Sequence, residues 1–340
     1  MRGPATVHGS GPCDTRVVTD SNPDLEVNMS LRSRTVPLVI VALLSTTTAT
    51  AAPVTDGSLD VGYGSALATQ VTQTNLGDAG QGLVDFAYGS ELDAAYGYIG
   101  DGVLHLFLSG NVMFQERGME PGFRSDEVDV YVDSETGGQN VLRADNPAVG
   151  SFHSLSTRAG LRFDADFAPD HWFNGWLYSA GSNLGAPYAF KLYTASLPTE
   201  GGGSGGFLGQ SSPGGPGTLA GGTNPDGIEA AVDNRNVAGV TAGCDAAGGE
   251  GVTTGIELAI PLAAIGNPTG CVRVCALLVS YWGGGISNQV LGPLPAGTCE
   301  VAVPASVDFS AVAGEQFFAV CPGRVPALRS SWGSVKTLYR

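Results

Sequence analysis

Two apolar runs joined by a three-residue turn constrain the fold most tightly. Ala94–Ile99 and Val103–Ser109 flank Gly100-Asp101-Gly102. An Asp-Gly turn between two such runs is a strong local signal for a β-hairpin. The same pattern of short β-branched and aromatic runs between Gly, Asn, Asp and Ser turns recurs along the chain. Glu127–Asp133, Gly160–Asp164, Trp172–Ser179, Tyr188–Thr194, Gly227–Asp233, Thr253–Ile260, Cys271–Trp282 and Gln316–Val320 read as further strands. Helical periodicity is nearly absent. About ten strands in this length predict an all-β, two-sheet β-sandwich, jelly-roll-like in build.

The flanks read differently. Met29-Ser-Leu-Arg-Ser-Arg34 is basic, Thr35–Leu44 is apolar, and Ala49-Thr50-Ala51 closes an A-x-A pattern. That is the plan of a signal peptide over 29–51, with an upstream leader over 1–28. The sandwich domain then spans 52–322. Within it, 199–223 is so rich in Gly, Ser and Pro that it reads as a long surface loop. After a Pro/Gly hinge, Trp332, Val335, Leu338 and Tyr339 fall at helical spacing, so 323–340 reads as a short amphipathic C-terminal helix with a sorting or docking role.

Charge narrows the partners. The first 51 residues hold as many acidic as basic side chains, so the mature chain keeps the net charge of −16. Such a surface repels phosphate backbones, which excludes nucleic acid as a partner. No remaining apolar run is long enough to span a membrane as a helix. Secretion implies an oxidising compartment in which Cys244, Cys271, Cys275, Cys299 and Cys321 pair, leaving one thiol over. Cys271 and Cys275 lie four residues apart in one strand, about 13 Å. A disulfide needs Cα atoms within about 7 Å, so these two do not bond each other, and each is expected to reach across to Cys244, Cys299 or Cys321.

Ser125–Asn140 (SDEVDVYVDSETGGQN) is the most acidic patterned stretch. Period two puts Val128, Val130 and Val132 on the core side and Asp129, Tyr131 and Asp133 on a solvated face. Asp129 and Asp133 are about 13 Å apart along the strand, beyond the roughly 5 to 9.5 Å of a glycosidase pair. No catalytic residue is assigned. Calcium is the sharper reading for the acidic turns, with Asp133, Glu135 and Asn140 as one candidate ligand set and Asp164, Asp166 and Asp170 as a second. The competing reading is solvated turns. Trp172, Trp176 and Tyr178 share one strand face and, with Tyr131, are the candidate sugar-stacking residues. Core filling is their alternative role. No nucleophile elbow, H-E-x-x-H motif or phosphate loop is present. Pro261 is expected to end the strand before it, Leu262–Ile265 to form one helical turn, and Glu257 to point outward.

Three stretches in order, Leu92–Asn111, Ser125–Asn140 and Gly255–Gly270, carry a family resemblance. They resemble strands of family-9-like carbohydrate-binding modules, related DOMON-like sandwiches and secreted bacterial proteins of the same build. The resemblance implies a β-sandwich and a non-catalytic, carbohydrate-binding role with an extracellular glycan or cell-surface component as partner. It carries over no ligand residue, since the paired tryptophans of a sugar clamp have no placed counterpart. The second expectation is a structural or surface-assembly protein, and the third a glycan-acting hydrolase.

Overall fold

The computed structural model describes residues 51–76, 89–113, 125–150, 154–179, 188–236, 240–249, 251–280, 284–299 and 301–323. Contacts divide the chain into Met1–Thr48 and Ala49–Arg340, and every described residue belongs to the second unit. The expected leader, signal peptide and C-terminal helix therefore lie outside the described residues, apart from Ala51 and Gly323.

Two antiparallel sheets form the sandwich. The smaller has the order β1 (Ala68–Thr69), β2 (Glu91–Gly100), β3 (Val103–Asn111), β10 (Gly255–Pro261), β9 (Glu229–Val232). The larger runs β12 (Ile286–Leu291), β11 (Val272–Val279), β4 (Glu127–Asp133), β5 (His171–Ser179), β6 (Tyr188–Ser196), β7 (Gly205–Ser211), β8 (Ala220–Gly221). Strand β13 (Phe318–Val320) pairs with β11. The hairpin β2–β3 turns at Asp101 and Gly102, whose φ values of 52° and 77° match a turn that needs left-handed backbone at both central positions.

The core between the sheets follows the period-two reading. Val128, Val130 and Val132 of β4 meet Leu104, Leu106 and Leu108 of β3 and Ile256, Leu258 and Ile260 of β10 in one buried cluster. Strand β10 ends at Pro261, and Leu262–Ile265 forms a 3-10 turn. Glu257 points away from this core, as expected, yet it is buried. Its carboxylate accepts from Asp56 N (2.9 Å), Gly57 N (3.0 Å) and Tyr63 Oη (2.7 Å), pinning the segment before β1 across the smaller sheet. Burial raises the Glu257 pKa to about 7.

A second core covers the other face of the larger sheet. Tyr131, Trp172, Cys275 and Leu277 from the strands pack against Leu155, Leu161, Phe163, Phe167 and Phe309 from the connecting segments. This layer corrects two expectations. Gly160–Asp164 is not a strand, because Arg162 makes only single bridges to Val141 and Asp308 while Leu161 and Phe163 sink into the second core. The face of β4 carrying Glu127, Asp129 and Tyr131 is not solvated, since all three are fully buried under the layer.

The tract 199–223 is a third correction, because it contributes the strands β7 and β8 rather than loop alone. Its glycines serve close approach. A Cβ at Gly205 would stand 2.5 Å from the Thr194 carbonyl oxygen. Two disulfides, Cys244–Cys299 and Cys271–Cys321, tie the second half together and leave Cys275 free in the second core. That agrees with the expectation that Cys271 and Cys275 do not pair and that one thiol is left over, but it corrects the expectation that Cys275 reaches another cysteine, since its side chain is packed in the second core while the other four pair among themselves.

Candidate functional site

Antiparallel pairing places directly opposed residues on the same face. On the outer face of the larger sheet this builds three cross-strand rows. One runs Val279, Glu127, Trp176, Lys191, Gln210. The next runs Leu277, Asp129, Asn174, Tyr193, Phe207, and the third Cys275, Tyr131, Trp172, Ala195, Gly205. Each row passes from an apolar end at β11 to a more open end at β6 and β7.

The middle of the face is a closed ionic network. Arg158, delivered by the 3-10 turn Leu155–Arg158, donates from Nε to Asp129 (2.7 Å) and from Nη2 to Glu127 (2.9 Å). All three side chains are fully buried. Asn174 Nδ2 donates to both carboxylates at 3.0 and 2.9 Å, and Tyr131 Oη donates to Asp129. Burial opposes the Arg158 charge, but the two carboxylates outweigh it and hold its pKa above the ordinary value. A buried pair of this kind contributes little net stability, whereas removing one partner costs about 3–5 kcal/mol. The network is therefore a fixed part of the frame with its charges paired. Its loose end is Asn174 Oδ1, which is buried and accepts no hydrogen bond among the described residues.

The β6–β7 end is built otherwise. Lys191 Nζ lies 3.7 Å from the centroid of the Tyr178 ring, 5.4 Å from that of Trp176 and 5.9 Å from that of Phe207. Trp176 meets Tyr178 edge-on, and Tyr193 tilts against Phe207. Tyr178, Lys191, Tyr193 and Phe207 are all part-exposed, and Gln210, opposite Lys191, is exposed. Burial against the rings lowers the Lys191 pKa. Aromatic faces beside a polar donor set suit a ligand that is apolar on one face and hydroxylated at its rim.

No family model, curated protein or solved structure matches this chain.

Of the four expected stacking residues, the structure brings Trp172, Trp176 and Tyr178 to one face, as their spacing implied. It gives them different roles. Trp172 and Tyr131 are fully buried members of the second core and cannot touch a ligand from solvent. Trp176 is 5 % exposed and backs the open cluster. Tyr178 alone of the four presents a part-exposed ring.

The expected calcium ligands are largely engaged in holding turns. Asp170 accepts from Ser134 N and Glu135 N at 2.9 and 2.8 Å. Asn140 Nδ2 donates to the carbonyls of Phe163, Asp164 and Phe167. Asp164 accepts from Gln316 N, and Asp166 offers its carbonyl to Arg273. Asp133 pairs with Arg273 at 3.3 Å and, with Glu135, lines a polar cleft of about 490 Å³. Among the described residues no group of three or more His, Cys, Asp or Glu side chains is placed to hold a metal ion.

Lys191, Tyr193, Phe207 and Gln210 were not among the expected site residues. Phe207 and Gln210 sit in the tract read as loop. Lys191 and Tyr193 lie in a strand that was recognised, on the face that strand alternation could have paired with Trp176 and Asn174.

A separate buried pair lies on the smaller sheet. Asp93 sits where β2 carries one residue more than β3, and such a bulge re-aims its side chain. Its Oδ2 is buried without a partner among the described residues, and burial followed by the neighbouring Glu91 raises its pKa to about 8. Glu91 accepts from Thr241 N at 3.0 Å, and burial raises it to about 7.

Proposed function

We propose that this chain is a secreted, non-catalytic β-sandwich protein that binds carbohydrate on the β6–β7 end of its larger sheet. The observation that carries the reading is the gathering of Trp176, Tyr178, Tyr193 and Phe207 from three adjacent strands on one outer face, around Lys191 and beside exposed Gln210. Aromatic faces take the C–H face of a pyranose, while an amide and an ammonium address its hydroxyls. The two-sheet frame and the resemblance of three stretches to family-9-like carbohydrate-binding modules support the same reading. Two disulfides support an oxidising, extracellular setting. No helix among the described residues is long and apolar enough to cross a membrane.

A glycan array probed with the purified protein tests the reading. The expected result is retention of a defined glycan set, weakened by Tyr178→Ala and by Phe207→Ala with the melting temperature nearly unchanged. Silence across the array, with assembly that grows with protein concentration, would instead favour a structural or surface-assembly role.

A further inference from the structure

The cations of this chain are treated unequally. It has only two lysines, Lys191 and Lys336, and Lys191 is the only one among the described residues. Every described arginine has a carboxylate partner: Arg143 with Asp145, Arg158 with Glu127 and Asp129, Arg162 with Asp308, Arg235 with Asp233, and Arg273 with Asp133. Lys191 has no ion pair among the described residues. Its contacts are the rings of Tyr178, Trp176 and Phe207. In a chain of net charge −16, carboxylates are plentiful, yet none among the described residues pairs with this ammonium. Burial is the cause that lowers its pKa.

We propose that Lys191 selects a carboxylated sugar, so that the open aromatic cluster takes uronate-containing rather than neutral glycan. The proposal rests on the carbohydrate-binding reading above. Lys191 Nζ itself lies over one face of Tyr178, so a sugar ring placed against the part-exposed rings of Tyr193 and Phe207 would bring its substituents beside the ammonium. A hydrogen bond between an ammonium and a carboxylate is about twice as strong as a neutral one. Partial burial against three rings also strengthens it over an exposed pair. The remaining charge of the protein opposes polyanions at long range, but at physiological salt that field decays over about 8 Å. The preference is therefore a contact effect.

Calorimetric titration at physiological salt, with EDTA present so that calcium cannot bridge carboxylates, tests this. The probes are a galacturonate hexamer and its fully methyl-esterified form. The expected result is binding of the acid at least tenfold tighter than the ester. Lys191→Met should bring the two to equal affinity, and Lys191→Arg should keep the preference. Equal affinities in the unaltered protein, or a preference that survives Lys191→Met, would overturn the proposal while leaving a neutral-sugar site standing. Binding of neither hexamer overturns it too. Retention of neutral gluco-oligosaccharides in that case preserves the carbohydrate reading, and an empty glycan array removes both.

Discussion

The outer face of the larger sheet holds two cations in opposite ways. Arg158 is sealed beneath the second core and shared between Glu127 and Asp129. Lys191, on the row that also contains Glu127, is part-exposed and, among the described residues, is held by aromatic rings without an ion pair. The first arrangement saturates every charge and leaves nothing to offer a ligand. The second sets an ammonium against polarisable faces, with no carboxylate beside it among the described residues. The contrast separates frame from proposed site on a single sheet face, although the acidic stretch that draws the eye in the sequence belongs to the frame.

The contrast can be broken most directly through stability. Arg158→Met should cost about 3–5 kcal/mol in denaturant unfolding, because two carboxylates stay buried without their cation. Lys191→Met should cost less than about 1 kcal/mol, the range of a part-exposed cation–aromatic contact. Equal losses for the two variants would erase the distinction between them.

The carboxylates without a cation sharpen it next. Glu91 and Asp93 have folded pKa values raised to about 7 and about 8 from ordinary values of 4.5 and 3.8. The folded state therefore holds these protons more tightly than the unfolded chain does. Their stabilising contribution is complete below about pH 4 and is lost as pH rises through 7 to 8. Thermal unfolding should accordingly show lower stability at pH 8.5 than at pH 5.5, by up to roughly 5 kcal/mol from the two groups together. Asp93→Asn should flatten that slope. A slope unchanged by the substitution would count against the buried, unpaired carboxyl.

A smaller effect is expected at the open end. Tyr178→Ala should weaken glycan binding about tenfold, close to 1.4 kcal/mol, with little change in unfolding. Tyr131→Ala should do the reverse, since its ring packs edge-on against Phe163 in the second core. Loss of a large buried aromatic costs about 3–5 kcal/mol. If Tyr131→Ala abolished binding without affecting stability, frame and site would have been exchanged.

The frame was largely legible because alternation and turn chemistry act locally. The Asp101-Gly102 hairpin, the valine stripe of β4 and the stop at Pro261 follow from neighbouring residues, and all occur where expected. The site was less legible for two physical reasons. Period two assigns a residue to a face of the sheet but does not say what covers that face, so Asp129 and Tyr131 read as solvated. The cover comes from Phe163, Phe167 and Phe309, remote in sequence and outside any strand. The second reason is composition. Strand β7 is rich in glycine, which lacks strand propensity, and only its pairing with β6 reveals that Phe207 and Gln210 share a face with Lys191.

The scarcity of lysine allows the central claim to be tested at one atom. Reductive methylation with isotopically labelled methyl groups marks Lys191, Lys336 and the amino terminus, and Lys191→Arg identifies the Lys191 resonance. On titration with a glycan retained on the array, this resonance should shift saturably, with the dissociation constant found by calorimetry, while the Lys336 resonance stays in place. Calorimetric binding of that glycan with the Lys191 resonance unmoved would place the site elsewhere and contradict the account.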